Sequence, residues 1–418
     1  MVPAENKTKK SRKVVIGAFL GTIVEYYDYS LYGFSAGILA TKFFPLEDKI
    51  TSLMYVFAIY AISYLSKPLG SIIFSRIGDI YGRRLALKTT MIGIALPTLT
   101  IGLLPTYDVI GAFSTYTLVL CRFMQGFFVA GEYDGAAIYV IEHLGKKYHY
   151  TASAITRTTG VIGLLLGIAA TNLFNSSIFP DFAWRIPFLL SLPLALITIY
   201  YRRFLEETPD FEDLKINNLP IFNIWSFLQK QWRTLLKVIL LAGGFGTTYQ
   251  VSIIFMKQYL PLMVPATNTI ITSFSTILVF CFGTSMPIAG LIADRFGKII
   301  VIRSSLILTI CASLILALAI YYQIINLLLI ASLALAISIA PFNALAHGVI
   351  IKSFPVNQRY RGVSFGHTTG SMLMSGTANY ICMAAIKYFN FTLFPVVYVA
   401  LFAVLSFVMI MLLDRAKY

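Results

Sequence analysis

Charge is scarce in this sequence, and negative charge is scarcest. Asp, Glu, Lys and Arg make up 12% of the 418 residues, with 18 acids against 33 Lys and Arg. A water-soluble protein carries about 25% charged residues, so a fully solvated surface is excluded. Cysteine is also rare. Cys121, Cys281, Cys311 and Cys382 all fall inside apolar runs, and their spacing suits no metal. Neither a disulfide frame nor a zinc or iron–sulfur centre is indicated. No Gly-x-x-x-x-Gly-Lys-[Ser/Thr] loop occurs, so nucleotide-driven pumping has no support. No constellation of nucleophile and base suggests an enzyme. No cofactor or metal is expected.

What is present is long apolar runs. The chain is 58% hydrophobic, and about twelve runs of spanning length can be read between residues 14–40 and 392–413. A helix needs roughly 20 mostly apolar residues to cross a bilayer. Backbone groups in lipid must be paired internally, so only helices or closed barrels can span. These runs are too long and too uniformly apolar for barrel strands, which alternate. An all-α membrane protein of about twelve transmembrane helices is expected.

The basic residues orient it. Lys7, Lys9, Lys10, Arg12 and Lys13 crowd the N-terminus, and further clusters surround Arg83, Lys146, Arg202, Lys298, Arg359 and Arg415. On the other side lie only Lys42, Lys49, Arg185, Lys257 and Lys387, while Lys67, Arg122 and Arg157 fall within spans. The positive-inside rule then puts both termini in the cytoplasm. The net charge of +15 is explained by topology and by contact with anionic lipid; nucleic acid is not needed as a partner. The polar, basic start leads into a full-length apolar run, unlike a signal peptide, so an uncleaved first helix is expected.

Against this background the stretch Gly17–Gly33 (GAFLGTIVEYYDYSLYG) stands out. It sets Glu25 and Asp28 inside a spanning run, at a cost of at least about 2.5–3.5 kcal/mol for a charge at the bilayer centre. Three residues apart, they share one helix face. A structural ion pair and a proton or substrate site both account for them. Tyr26, Tyr27, Tyr29 and Tyr32 crowd the same segment.

A repeat divides the chain. Asp79 to Arg83 and Asp294 to Lys298 both read Asp-x-x-Gly-basic, about half a chain apart. Gly82 permits a tight turn with positive φ, and the Asp can cap a nearby helix N-terminus. Contacts of this kind would act as a latch between halves. A duplicated six-helix unit follows, as is common among transporters: residues 1–201, a polar linker 202–233, and residues 234–418.

The inner-loop motif resembles that of the major facilitator superfamily, Gly-x-x-x-Asp-x-x-Gly-[Arg/Lys]-[Arg/Lys]. The second copy matches at Gly290, Asp294, Gly297 and Lys298. The first matches at Asp79, Gly82, Arg83 and Arg84, with Ser75 in place of the leading Gly. VEYYDYSLYG (24–33), KPLGS (67–71), RFMQGFFVAGEYDGA (122–136), RRFLEETPDF (202–211) and FPVNQRYRGVSFG (354–366) further resemble the metabolite:proton symporters. These carry proline and betaine, α-ketoglutarate, citrate or shikimate. Lys67 stands where that family usually has Arg, and Asp134 where a small or hydroxyl residue is usual. The resemblance implies two pseudo-symmetric six-helix bundles that rock about a midplane site. It also implies that Asp79 meets the start of the eleventh span near Gly362, and Asp294 the start of the fifth near Thr151.

Candidate residues follow. Arg122 lies about 15 Å into the fourth span, and Asp28 is at similar depth. With the resemblance making these spans neighbours, a buried Asp28–Arg122 pair is expected. Glu25, Asp28, Glu132 and Asp134 are the proton-coupling candidates. Tyr26, Tyr29, Arg122, Tyr249, Gln250 and Asn343 are the substrate candidates. Asp79, Gly82, Arg83, Glu142, Asp294, Gly297 and Lys298 form the latch set, with Glu142 meeting Arg83. Arg157 reads as a snorkelling or paired residue before a substrate ligand, and His347 and His367 as hydrogen-bonded structural residues before proton carriers. Arg122 favours a carboxylate, and the tyrosines favour a quaternary ammonium through cation–π contact; proline or betaine satisfies both. The expectation is a monomeric proton-coupled importer of a small polar metabolite in a bacterial inner membrane. A uniporter or exchanger of the same fold, and a sensor without flux, remain alternatives.

Overall fold

The structure is a computed structural model, and it describes residues 4–46, 48–81, 83–144, 149–202, 224–267, 270–354 and 356–415. Among them there is no strand. The chain rises and falls through twelve long helical segments. In chain order these are α1 (Ala4–Phe34), α2 (Lys49–Ile80), α3 (Arg83–Leu103), α4 (Ala112–Leu144), α5 (His149–Phe174) and α6 (Ser191–Arg202). The second half comprises α7 (Ile224–Tyr249, continued by Met256–Met263), α8 (Ile271–Phe296), α9 (Lys298–Tyr321), α10 (Ile325–Lys352), α11 (Val356–Gly370, continued by Gly376–Phe389) and α12 (Phe394–Arg415). Nine helices among the described residues are long and apolar enough to cross a bilayer. These nine are α2, α3, α5 to α10 and α12.

The apolar residues face two ways. The main apolar stretch of α7 is 83% buried within the protein, whereas those of α6 and α12 are only 39% buried. α7 is therefore central and the other two are peripheral. Leu401, Val404 and Val408 of α12 and Ile300, Ile307 and Leu314 of α9 point outward. A soluble monomer does not expose apolar surface on this scale; in a bilayer this belt meets acyl chains.

Small residues set the helix crossings. A Cβ on Gly126 of α4 would come within 1.6 Å of the Ser63 carbonyl oxygen, and one on Gly70 of α2 within 1.9 Å of the Phe127 oxygen. Only hydrogen at these positions lets α2 and α4 touch backbone to backbone. The two bundles repeat another crossing. Gly163 of α5 lies against Ile23 of α1, and Gly370 of α11 against Ile239 of α7.

Two central helices are locally unwound. α7 passes through a π turn at Gln250–Phe255, and α11 through one at Ser371–Ser375. Such turns loosen the regular backbone ladder and gather at functional sites. Both lie beside the central cavity.

Candidate functional site

The cavity lies between the bundles, with walls from α1, α2, α4 and α5 on one side and α7, α8, α10 and α11 on the other. The cavity volume is about 100 Å³. One water needs about 10–15 Å³ on that measure, so a solute of several heavy atoms fits. Glu25, Tyr26 and Tyr29 reach it from α1, Tyr60, Tyr64 and Lys67 from α2, and Arg157 from α5. Phe245, Tyr249, Asn343 and His367 face them from the second bundle.

Each cation on the wall is held by aromatic rings. The Lys67 ammonium lies 3.9 Å from the centre of the Tyr64 ring and 4.6 Å from that of Tyr29. The Arg157 guanidinium stacks on Phe245 at 4.8 Å, donates to the Tyr26 hydroxyl at 3.0 Å, and reaches the Asn343 carbonyl oxygen at 3.3 Å. Arg157 thereby joins the two bundles at the cavity.

Arg122 is placed differently from the sequence expectation. It is fully buried and makes no ion pair with Asp28. It donates to Gln125 Oε1 at 2.7 Å and to Ser63 Oγ at 3.1 Å. Its guanidinium lies 4.3, 4.9 and 5.0 Å from the ring centres of Tyr32, Tyr60 and Tyr29. Gln125 passes the network on to Thr98. The expected Asp28–Arg122 bridge is corrected accordingly. Rings and neutral oxygens surround the guanidinium, whose Nε has no hydrogen-bond partner among the described residues, and the Asp28 carboxyl, 1% exposed, meets no donor there either. Neither residue lines the cavity.

The other candidates divide in the same way. Of the substrate set, Tyr26, Tyr29, Tyr249 and Asn343 stand on the wall; Gln250 lies behind it, accepting from the Tyr64 hydroxyl at 3.4 Å. Tyr27 and Tyr32 are turned away, donating to the carbonyl oxygens of Pro187 and Val56. Of the acids, Glu25 is on the wall. The side chains of Glu132, Asp134, Glu142, Asp79 and Arg83, and residue Gly82, lie outside the described residues. The sequence reading gave Lys67, Tyr60, Tyr64 and Phe245 no site role. Lys67 carried a signal nonetheless, as a charged residue inside a span.

Polar contacts join the bundles on both sides of the cavity. On the side of the chain termini, Asp294 at the end of α8 caps α5. It accepts from the backbone N–H groups of Tyr150 at 3.1 Å and Thr151 at 2.8 Å, and from the Thr151 hydroxyl at 2.6 Å. This is where the family resemblance put it. Gly297 takes φ +95° to start α9, and Gly290 lies so close that a Cβ would meet the Thr151 Cα at 2.9 Å. Lys298 lies over the Tyr150 ring. On the far side, Lys257 donates to Asn172 Oδ1 at 2.7 Å and the Phe34 oxygen at 3.3 Å, and Asn172 donates to the Thr272 oxygen at 2.9 Å. Lys387 pairs with Asp48 at 3.2 Å.

A helical membrane protein with two repeated bundles, a central cavity lined by both and polar bridges on either side of it has the architecture of a membrane carrier. Comparison with known proteins gives the family. Residues 13–218 match the profile of the family described as "Sugar (and other) transporter". The proline/betaine transporter of Escherichia coli K12 is 29% identical over 96% of this chain and 82% of its own length. The glycine betaine/proline/ectoine/pipecolic acid transporter OusA of Dickeya dadantii is 30% identical over 94% and 81%. Among solved structures, the proton:xylose symporter XylE bound to 6-bromo-6-deoxy-D-glucose shares the fold. Its TM-score is 0.78 at 14% identity, covering 98% of this chain and 96% of that one. The chain belongs to the metabolite transporters of the major facilitator superfamily, and is not an enzyme.

Proposed function

We propose that this carrier is a proton-coupled symporter importing a small zwitterion that bears a carboxylate, with both termini in the cytoplasm of a bacterial cell. The observation that carries the reading is the make-up of the cavity wall. Lys67, Arg157 and Glu25 enclose one small space together with tyrosines from both bundles. Cationic donors suit a carboxylate, and aromatic rings suit a cationic nitrogen. The names of the proline/betaine and glycine betaine/proline/ectoine relatives support the same class.

Glu25 is the proton carrier in contact with the cavity. Asp28, about one turn along α1, is the second. An ionised carboxylate buried without a donor costs several kcal/mol, and protonation removes that cost. Glu132 and Asp134 extend the set along α4. Substrate contacts fall to Tyr26, Tyr29, Tyr249 and Asn343, with Arg122 and Gln250 holding the tyrosines from behind. Transport proceeds as the bundles rock about the cavity. The Asp294 cap on α5 holds one mouth, with Gly297 and Lys298 shaping its loop. Asp79, Gly82, Arg83 and Glu142 act as the matching latch.

The test is uptake of labelled proline and glycine betaine into proteoliposomes under an imposed pH gradient. Accumulation driven by an alkaline lumen is expected. Flux indifferent to the gradient would replace symport by uniport or exchange. No flux with any zwitterion would leave a sensor.

A further inference from the structure

The tyrosine surface of the cavity already holds a cation. Tyr64 and Tyr29 carry the Lys67 ammonium at 3.9 and 4.6 Å from their ring centres, and all of these residues line the cavity. The rings are fixed from behind. The Tyr64 hydroxyl is tied to Gln250 and the Tyr29 hydroxyl to Ser63, while Tyr60 packs 5.7 Å from Tyr64. The site is a built aromatic platform with a tethered amine resting on it.

We infer that Lys67 is a substrate-binding residue that works by exchange: its ammonium leaves the Tyr64–Tyr29 platform to take the substrate's carboxylate, and the substrate's cationic nitrogen takes its place on the rings. The inference rests on the zwitterion reading above and says how the zwitterion is recognised. The energetics favour the exchange. An ammonium on aromatic rings gains about 0.5–2 kcal/mol. A charge-assisted hydrogen bond to carboxylate gains about 1.5–3 kcal/mol. Lysine's compact, flexible and strongly hydrated ammonium moves readily between the two, whereas a fork-shaped guanidinium would stack more firmly. A zwitterion supplies both replacements in one molecule. A simple cation must take the rings from Lys67 without offering its ammonium a partner. A simple anion draws the ammonium away and leaves the rings bare. The platform therefore selects for molecules carrying both charges.

The test is equilibrium binding to the purified full-length chain with three probes of matched shape: glycine betaine, choline, and tert-butylacetate, the carbon isostere of betaine. The wild type should bind betaine at least about tenfold more tightly than either single-charge probe. Lys67→Met should weaken betaine by about tenfold or more and strengthen choline, because the platform is vacated. Betaine affinity unchanged in Lys67→Met, or equal binding of betaine and tert-butylacetate by the wild type, overturns the inference. Should Lys67→Met fail to fold, Tyr64→Leu decides. It keeps the amine and should lose the preference for betaine over its isostere, and an unchanged preference overturns the exchange. Failure of the wild type to bind betaine or proline at all removes the zwitterion reading itself and this inference with it. Failure confined to the variants removes only the inference.

Discussion

Asp28 and Glu25 sit on one helix about a turn apart and meet different surroundings. Glu25 faces the cavity. Asp28 is buried, both carboxylate oxygens without a donor among the described residues. Nothing in packing alone calls for an acid there, since an apolar side chain of similar volume would be no worse. Asp28→Asn keeps the volume and removes the proton site. The protein should insert and melt as the wild type does, while substrate accumulation against a gradient falls to background. Unchanged accumulation in proteoliposomes would clear Asp28 of proton carriage. Arg122 carries a different lesson. Three tyrosines, Gln125 and Ser63 meet its guanidinium, so among the described residues a full positive charge is housed without a carboxylate.

The helices owe their positions to a few close approaches. The α2–α4 crossing depends on hydrogen at Gly126, where a Cβ would stand 1.6 Å from the Ser63 oxygen. Ser63 is also a partner of Arg122 and Tyr29, so a shift there moves the cavity wall. Gly126→Val should destabilise by about 1–3 kcal/mol or more through overpacking, read as a lower melting temperature in detergent. Wild-type melting would mean that the crossing can relax. The α5 cap is a second such element. Asp294 supplies from the other bundle what an N-cap residue normally supplies from its own chain. Asp294→Ala should remove about 0.5–2 kcal/mol from the state in which the bundles touch on this side. The populations should move toward the state open on the side of the termini, visible as a longer distance between spin labels on α5 and α8. An unchanged distance distribution would leave the cap with a local role only.

For the molecule as a whole, polar bridges join the two bundles on both sides of the cavity. On the far side Asp48 caps α2 and holds Lys387 of α11. The Thr51 hydroxyl, and then Lys387, draw its carboxyl down to a pKa of about 2. A lowered carboxylate pKa means that the bridge is complete above the ordinary range near about 4 and is lost as pH falls through about 2. Acidification between about pH 7 and 5 should therefore leave this bridge intact, which places the proposed proton coupling elsewhere. Spin-label distances across the Asp48–Lys387 mouth should be the same at both pH values and change in Asp48→Asn. A change with pH in the wild type alone would make Asp48 part of the proton response.

The sequence by itself determined that the chain crosses a membrane about twelve times, that it repeats at half its length, and that Asp294 closes a loop of the facilitator type. These depend on local composition and on motifs contiguous in the chain, and such features survive any detail of packing. Only the tertiary structure decided which charges meet. Arg122 and Asp28 share a depth by residue count but not a contact: Tyr29 and Tyr32 of α1, Tyr60 of α2, Gln125 and Ser63 surround the guanidinium instead. Lys67 joined the site because α2 turns it toward two rings, one of them on α1. The π turns in α7 and α11 have no residue signature, since they answer to neighbouring helices. Periodicity fixes what is buried in lipid or protein; the partner of a buried polar group depends on residues far away in sequence, and folding alone brings them together.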